Sequence, residues 1–456
     1  MYKKSIYLLL TTCILFSACA KEEQTADSGK QLLSFQFKEV DAAKTSVQIV
    51  GDSVLISVPH NADVAALTPI LAFKGTRVEP LSGVTKDFST VKTFTVTAGD
   101  STKKTYHVCV HRRDAVFIGG LVQLLALDSK DGSLLWKDST NQNFAYSNPL
   151  LVGDILYAGN ISGYMCAFNA RNGQAIWQTF LSSIGIESPA TVSGNTLYVG
   201  DNDDYMVALN AATGAVKWQF KTGANVSTKP LIFQNTVIFG SSDSYVYALD
   251  TTNGNVVWKY STGDMIGSSS PVLSNGVIFI GSRSNQLFAI DAATGTRKWA
   301  YNTGISMEQS IPVVWHGTVY AAGWYDVSNF NLRGSLYALD EQTGSLKWQA
   351  LDSLGFTGPL ATANGLLYLP ADDANFYAVN ASTGATVWSS LILPNGAGAA
   401  IKNGVAYVGG GGTRNIYALD ALNGAIIWTY PIPNDLITSD PAVGREKKHT
   451  GVSISL

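Results

Sequence analysis

The sequence predicts an all-β chain in which an eight-bladed β-propeller follows a small β-sandwich, and three observations lead there. One phrase recurs along the second three-quarters of the chain: Ala, an aliphatic or aromatic residue, Asp or Asn, three variable residues, Gly, three more, then Trp. Its copies end at Trp136, Trp177, Trp218, Trp258, Trp299, Trp348, Trp388 and Trp428, spaced by 41, 41, 40, 41, 49, 40 and 40 residues. Periods of this size mark arrays whose units bury their apolar faces only against neighbours. Within each unit the apolar runs are short and strand-like, and turn residues separate them. The strand count also closes on itself: the first tryptophan has no first strand before it, and the last first strand, Pro441 to Val443, has no tryptophan after it.

The chain opens with Lys3 and Lys4, an apolar stretch from Ile6 to Phe16, and the small residues Ser17 and Ala18 before Cys19. About 20 apolar residues are needed to cross a bilayer, so residues 1–18 read as a cleaved signal segment. Phe16-Ser17-Ala18-Cys19 resembles the lipobox of bacterial lipoproteins, which implies lipidation at Cys19 and a membrane partner through that anchor. An ordinary secretory signal cut near Ala20 is the alternative. Residues 19–30 then form a polar tether. Its Lys21-Glu22-Glu23 resembles the export signal of some outer-membrane lipoproteins, although a solvated linker has the same composition.

Composition is globular, with 46% hydrophobic and 14% charged residues and a net charge of -3. With no basic excess, a nucleic-acid partner has no electrostatic support. Beyond Cys13 and Cys19 only Cys109 and Cys166 remain, and both read as buried free thiols inside apolar runs.

Residues 31–112 alternate with a period of two. Leu33, Phe35 and Phe37 are expected on one buried face, Val54 to Val58 forms a second strand, and Thr68-Pro69 introduces a third from Ile70 to Phe73. Thr93 to Val110 reads as a hairpin turning near Gly99-Asp100. The segment ends in Thr105-Tyr106-His107-Val108-Cys109-Val110 and resembles the Ig-like modules that follow the anchor in surface lipoproteins. A spacer role is expected of it.

Residues 113–456 hold the repeats. In the fourth unit the strands are read as one starting at Pro230, then Val237 to Gly240, Tyr245 to Leu249 and Asn255 to Tyr260. Matching starts are Pro149, Pro189, Pro271, Pro312, Pro359, Ala400 and Pro441; proline is tolerated where no ladder bond is yet required of its missing N–H. The C-terminus is expected to complete blade one, because closure removes exposed edges. Residues 444–456 receive no place. In the recurring phrase Asp or Asn caps the turn, Gly supplies positive φ, and Trp wedges between blades, so the eight tryptophans read as structural.

The near-intact copies Ala289 to Trp299 and Ala338 to Trp348 resemble the docking motif of the quinoprotein, or PQQ-like, eight-bladed propellers. That family includes pyrroloquinoline-quinone dehydrogenases and cofactor-free members such as the BamB-like lipoproteins. The enzymes' adjacent cysteine pair, a C-x-x-C-H haem site and a mappable calcium set are all missing from this sequence, so no catalytic residue, metal or cofactor is expected.

The expected function is that of a non-enzymatic lipoprotein, anchored in the outer membrane, whose propeller is a protein-binding scaffold. Surface glycan binding is one alternative and a quinone-dependent dehydrogenase is the other. The face carrying the loops between second and third strands holds Asp201, Asp203, Asp204, Asp243, Arg283, Glu308, Asp372, Asp373 and Arg414. The long sixth unit places its excess on that face, from Gly323 to Arg333. Its aromatics and arginine suit a contact surface, so Trp324, Tyr325, Phe330 and Arg333, with Arg283 and Arg414, are the candidate partner-binding residues.

Overall fold

The computed structural model describes residues 29–138, 142–144, 146–326, 332–356, 358–394 and 396–444. Cys19, the signal segment, Phe330, the side chain of Tyr325 and residues 445–456 lie outside the described residues. The chain splits into two compact units at Arg113/Asp114.

In the first unit a five-stranded sheet runs Ser46–Val50, Ser53–Val58, Lys103–Arg112, Lys92–Thr97, Arg77–Glu79, and a two-stranded sheet pairs Gln31–Phe37 with Pro69–Lys74. Both sheets contribute to one core that includes Leu32, Phe35, Phe37, Ile56, Phe88, Phe94 and Tyr106. The Tyr106 hydroxyl accepts the Leu32 N–H at 3.0 Å, tying the small sheet to the large one. The expected hairpin is present, as Lys92–Thr97 against Lys103–Arg112. The expected face of the first strand is corrected at one position. A bulge between Leu32 and Ser34 turns Leu32 into the core and leaves Leu33 49% exposed.

In the second unit, the described strands form eight four-stranded antiparallel sheets. Blade four is Leu231–Phe233, Thr236–Gly240, Tyr245–Asp250 and Val256–Ser261, close to its sequence reading. In blade one the innermost strand is Ala442–Val443, which pairs with Ala115–Gly119 through Ala442 to Phe117 and Val443 to Val116. Innermost strands of neighbouring blades touch one another and surround the ring axis. The two middle strands of a blade are buried almost end to end, as in Ile155–Gly159 and Tyr164–Asn169, because neighbouring blades cover both faces of the sheet. Outer strands such as Ala175–Phe180 are largely exposed.

The recurring phrase is the link between blades. Trp136 donates its indole N–H to the Ala170 carbonyl of the next blade at 2.8 Å. Trp177, Trp218, Trp258, Trp299, Trp348 and Trp388 do the same to Ala211, Thr251, Ala292, Glu341, Ala381 and Ala421. Trp428 completes the circuit by donating to Ser129 of blade one at 3.2 Å. Each ring also lies against the motif glycine of that next blade. A Cβ on Gly173 would stand 2.6 Å from Trp136, and Gly132 meets Trp428 in the same way. Glycine is therefore required twice over, by its φ of +73° and by the ring that occupies the space of a side chain. Opposite each motif alanine the ladder skips one residue of the outer strand, between Trp177 and Ala175 in blade two. This bulge aims the tryptophan at the neighbouring blade and turns the residue before it, here Ile176, outward. By the usual cost of emptying a buried aromatic site, truncating one such tryptophan removes about 3 to 5 kcal/mol.

Neither remaining cysteine is held in a disulfide. Cys166 is buried, and burial pushes its thiol up to about 12. Cys109 is only half-buried, against expectation, because the alternation of its strand places it on the face opposite the buried Tyr106 and Val108.

Candidate functional site

The loop face of the ring carries the turns between second and third strands and the connections between blades. Its acidic residues prove mostly structural. In blade three, Asp203 accepts the Ser183 N–H at 2.6 Å and so holds the connection arriving from blade two. Asp243 holds Gly223 in the same way at 2.8 Å, and Asp372 holds Gly355 at 2.9 Å. Asp373 accepts the Tyr377 hydroxyl, and Asp204 sits in the left-handed region at φ +77°. Asp201 is not a loop charge in solvent at all. It is fully buried: one carboxylate oxygen accepts the N–H groups of Asp203 (3.0 Å) and Tyr205 (2.8 Å), and the other has no partner. Burial, with the neighbouring charges of Asp203 and Asp204, pushes Asp201 up to about 6.

Of the expected contact residues, several gather on one arc. The excess of blade six forms a hairpin extension rather than a loose loop, with Thr318–Asp326 paired to Leu332–Asp340 over nine residues each. Trp324 is half-buried and fastened to the connection arriving from blade five: its N–H donates to the Ser306 carbonyl and its indole N–H to the Gln309 side chain at 3.2 Å. Arg333, opposite Tyr325 in the ladder, lies near enough to Asp372 of blade seven to stabilise that carboxylate's charge, while burial pushes Asp372 up. Arg283 of blade five contacts the Met265 sulfur at 3.4 Å and favours the charged form of Glu308, which burial pushes up. Arg414 stands apart on blade eight, donating to the Pro433 carbonyl at 2.9 Å.

The sequence reading missed a second feature of this face. On blade two and its connections, Ile161 (40% exposed), Phe180 (56%) and Ile184 (63%) stand in solvent. They are neighbours, since Gly185 abuts the Ile161 backbone and Gly163 abuts the Phe180 ring. The signal was available: Ile161-Ser162-Gly163 occupies a turn that in other blades reads Asn202-Asp203-Asp204 or Ser242-Asp243-Ser244.

At the ring axis, Asp440 precedes the closing strand and bridges blades eight and two. It accepts the Gly398 N–H and the Asn148 side-chain amide, both at 2.6 Å. Burial pushes it up to about 6, and Lys229 opposes that shift. Among the described residues, no group of three or more His, Cys, Asp or Glu side chains is placed to hold a metal ion.

The family model described as outer membrane protein assembly factor BamB matches residues 107–188, 183–390 and 377–447. A second model, described as SGBP, N-terminal, matches residues 32–110. Comparison with curated proteins returns no match. Among solved structures, BamB from Moraxella catarrhalis is 21% identical over 73% of this chain and 92% of that one, with a TM-score of 0.53. The computationally designed Ika8 protein is 14% identical over 70% and 93%, with a TM-score of 0.54. Quinohemoprotein alcohol dehydrogenase from Comamonas testosteroni is 15% identical over 66% and 69%, with a TM-score of 0.53. At these identities the structures share the fold alone, which a designed protein and an enzyme both carry. The family model matches most of the chain and its repeats run in register around the ring, so the chain belongs to the family described as outer membrane protein assembly factor BamB.

Proposed function

We propose that this chain is a non-enzymatic, lipid-anchored propeller of the outer membrane that binds a protein partner through its loop face, as a scaffold in outer-membrane protein assembly. The observation that carries this reading is the exposed apolar cluster Ile161, Phe180 and Ile184, on a face whose acidic residues are largely spent on internal hydrogen bonds. Large apolar side chains held in solvent by rigid turns mark contact surfaces. The hairpin extension of blade six, with Trp324 and Arg333, adds an arm on the same face.

On this proposal the axis holds no quinone cofactor. Asp440 there already accepts one hydrogen bond on each carboxylate oxygen, from Gly398 and Asn148, and no group of three or more His, Cys, Asp or Glu side chains among the described residues is placed to hold a metal ion. The absence of adjacent cysteines from the sequence supports the same reading.

The test is photo-crosslinking in intact cells from a benzoyl-phenylalanine placed at Ile184, with Thr213 on the opposite face as the control position. The expected result is an adduct at position 184, absent at 213, that contains a protein of the outer-membrane β-barrel assembly machinery. Absence of any adduct at 184, or equal adducts at both positions, would overturn the proposal.

A further inference from the structure

We propose that the opposite face of the ring carries a binding cleft for a neutral saccharide, between blades six and seven. The cleft has a volume of about 300 Å³ and is lined by Trp315, His316, Thr318, Lys347, Trp348 and Ser382, among others. That volume lies at the small end of ligand clefts, enough for one sugar ring.

Its residues break the repeat. Eight of the ten tryptophans belong to the inter-blade links, and Trp315 is one of the two that do not. It ends the first strand of blade six, where the other blades place Val152, Ser193, Phe233, Ser274, Ala363 or Lys402. The next residue is equally distinctive. Three other blades make this tight turn with Asn-Gly, at Asn275-Gly276, Asn364-Gly365 and Asn403-Gly404. Blade six uses His316-Gly317, with His316 at φ +48°, a conformation that asparagine and glycine take more readily. A turn that accepts this strain gains an imidazole edge-on to the Trp315 ring, with centroids 4.2 Å apart.

The chemistry selects the ligand class. A half-buried indole beside a cleft offers its face to the C–H side of a pyranose, while the imidazole and the Ser382 hydroxyl can meet sugar hydroxyls. Among the described residues, neither of those two groups has a hydrogen-bond partner for its side-chain polar atoms. Lys347 is the only cation lining the cleft, and it is already engaged. Its ammonium donates to the Gly317 carbonyl (2.9 Å) and the Thr318 hydroxyl (2.8 Å) and pairs with Asp340 at 3.4 Å. With its charge met internally it gives no purchase to a carboxylate or sulfate, so a neutral ring fits better than an acidic one. The cleft is independent of the loop face, and neither reading depends on the other.

The test is affinity electrophoresis of the soluble chain from residue 20 onward through gels containing starch, dextran, xyloglucan or galactomannan. The expected result is retardation in at least one of these, weakened at least tenfold by Trp315→Ala and by His316→Asn. The second substitution installs the residue that three other blades already use at this turn, so it preserves the fold and isolates the loss of the imidazole. Thermal unfolding of both variants checks that they remain folded. No retardation in any gel, or retardation unchanged by His316→Asn and by a folded Trp315→Ala, overturns the proposal.

Discussion

Asp201→Asn should make the propeller more stable at neutral pH and flatten its response to acid. Asp201 is fully buried, one of its oxygens lacks a partner, and its carboxyl is pushed from 3.8 up to about 6. Below pH 4 both the folded and the unfolded chain hold the proton, and the group does not oppose folding. Between pH 4 and 6 the unfolded chain releases the proton first, so stability falls as pH rises, and above 6 the loss is complete. A displacement of roughly two pKa units corresponds to a ceiling of about 3 kcal/mol. For a unit of roughly 340 residues the unfolding entropy converts this to about 4 °C in Tm. The replacement has a template in the ring. Asn160 occupies the same turn in blade two, accepting the Tyr164 N–H at 3.0 Å as Asp201 accepts that of Tyr205, but its amide also donates to Gln142 at 2.7 Å, and the lack of such an acceptor beside Asp201 keeps the gain below the ceiling. Thermal unfolding followed by circular dichroism at pH 4.0, 5.5 and 7.5 measures the effect. The variant should melt higher at 7.5, by up to about 4 °C, and level with the parent at 4.0. Equal melting at all three values, or a gap that widens as pH falls, would refute the reasoning.

Ending the chain at Ile437 removes Ser439, Asp440 and the strand Ala442–Val443, leaving blade one with a bare inner edge. This truncation should lower Tm and promote aggregation measured by light scattering, whereas ending at Gly444 should leave both near those of the full chain. Cys19→Ala, which tests the lipobox resemblance, should release the protein from the membrane fraction and abolish palmitate labelling; retained labelling would refute anchoring at that residue.

The ring was legible because its signal repeats. Trp, Gly and Asp recur in register, and counting first strands against tryptophans is enough to locate the closing strand. Features made once were harder to read. The turn of Asp201 looks in sequence like any acidic loop, and only the turn's inward direction shows that its carboxylate is buried. Asp203, Asp243 and Asp372 read in sequence as solvated charges on the loop face, because sequence does not reveal the amide each one meets across the inter-blade connection. The lengthened sixth unit was located correctly, but pairing across it is a matter of register, which the irregular run Gly323 to Arg333 does not display. The exposed cluster on blade two escaped notice because isoleucine in a short repeat reads as core unless the turn around it is compared blade by blade.

The inter-blade link has a consequence for how such a chain can change over time. Each tryptophan donates to a main-chain carbonyl, and the residues supplying that carbonyl are Ala170, Ala211, Thr251, Ala292, Glu341, Ala381, Ala421 and Ser129. The receiving side chain is therefore unconstrained by the bond, and glycine and tryptophan carry this link while the packed faces between blades carry the rest of the joint. The link therefore places no demand on sequence beyond its own glycine and tryptophan, and a gene encoding such a ring can alter the turns of one blade, as in the sixth, without disturbing the eight-fold link.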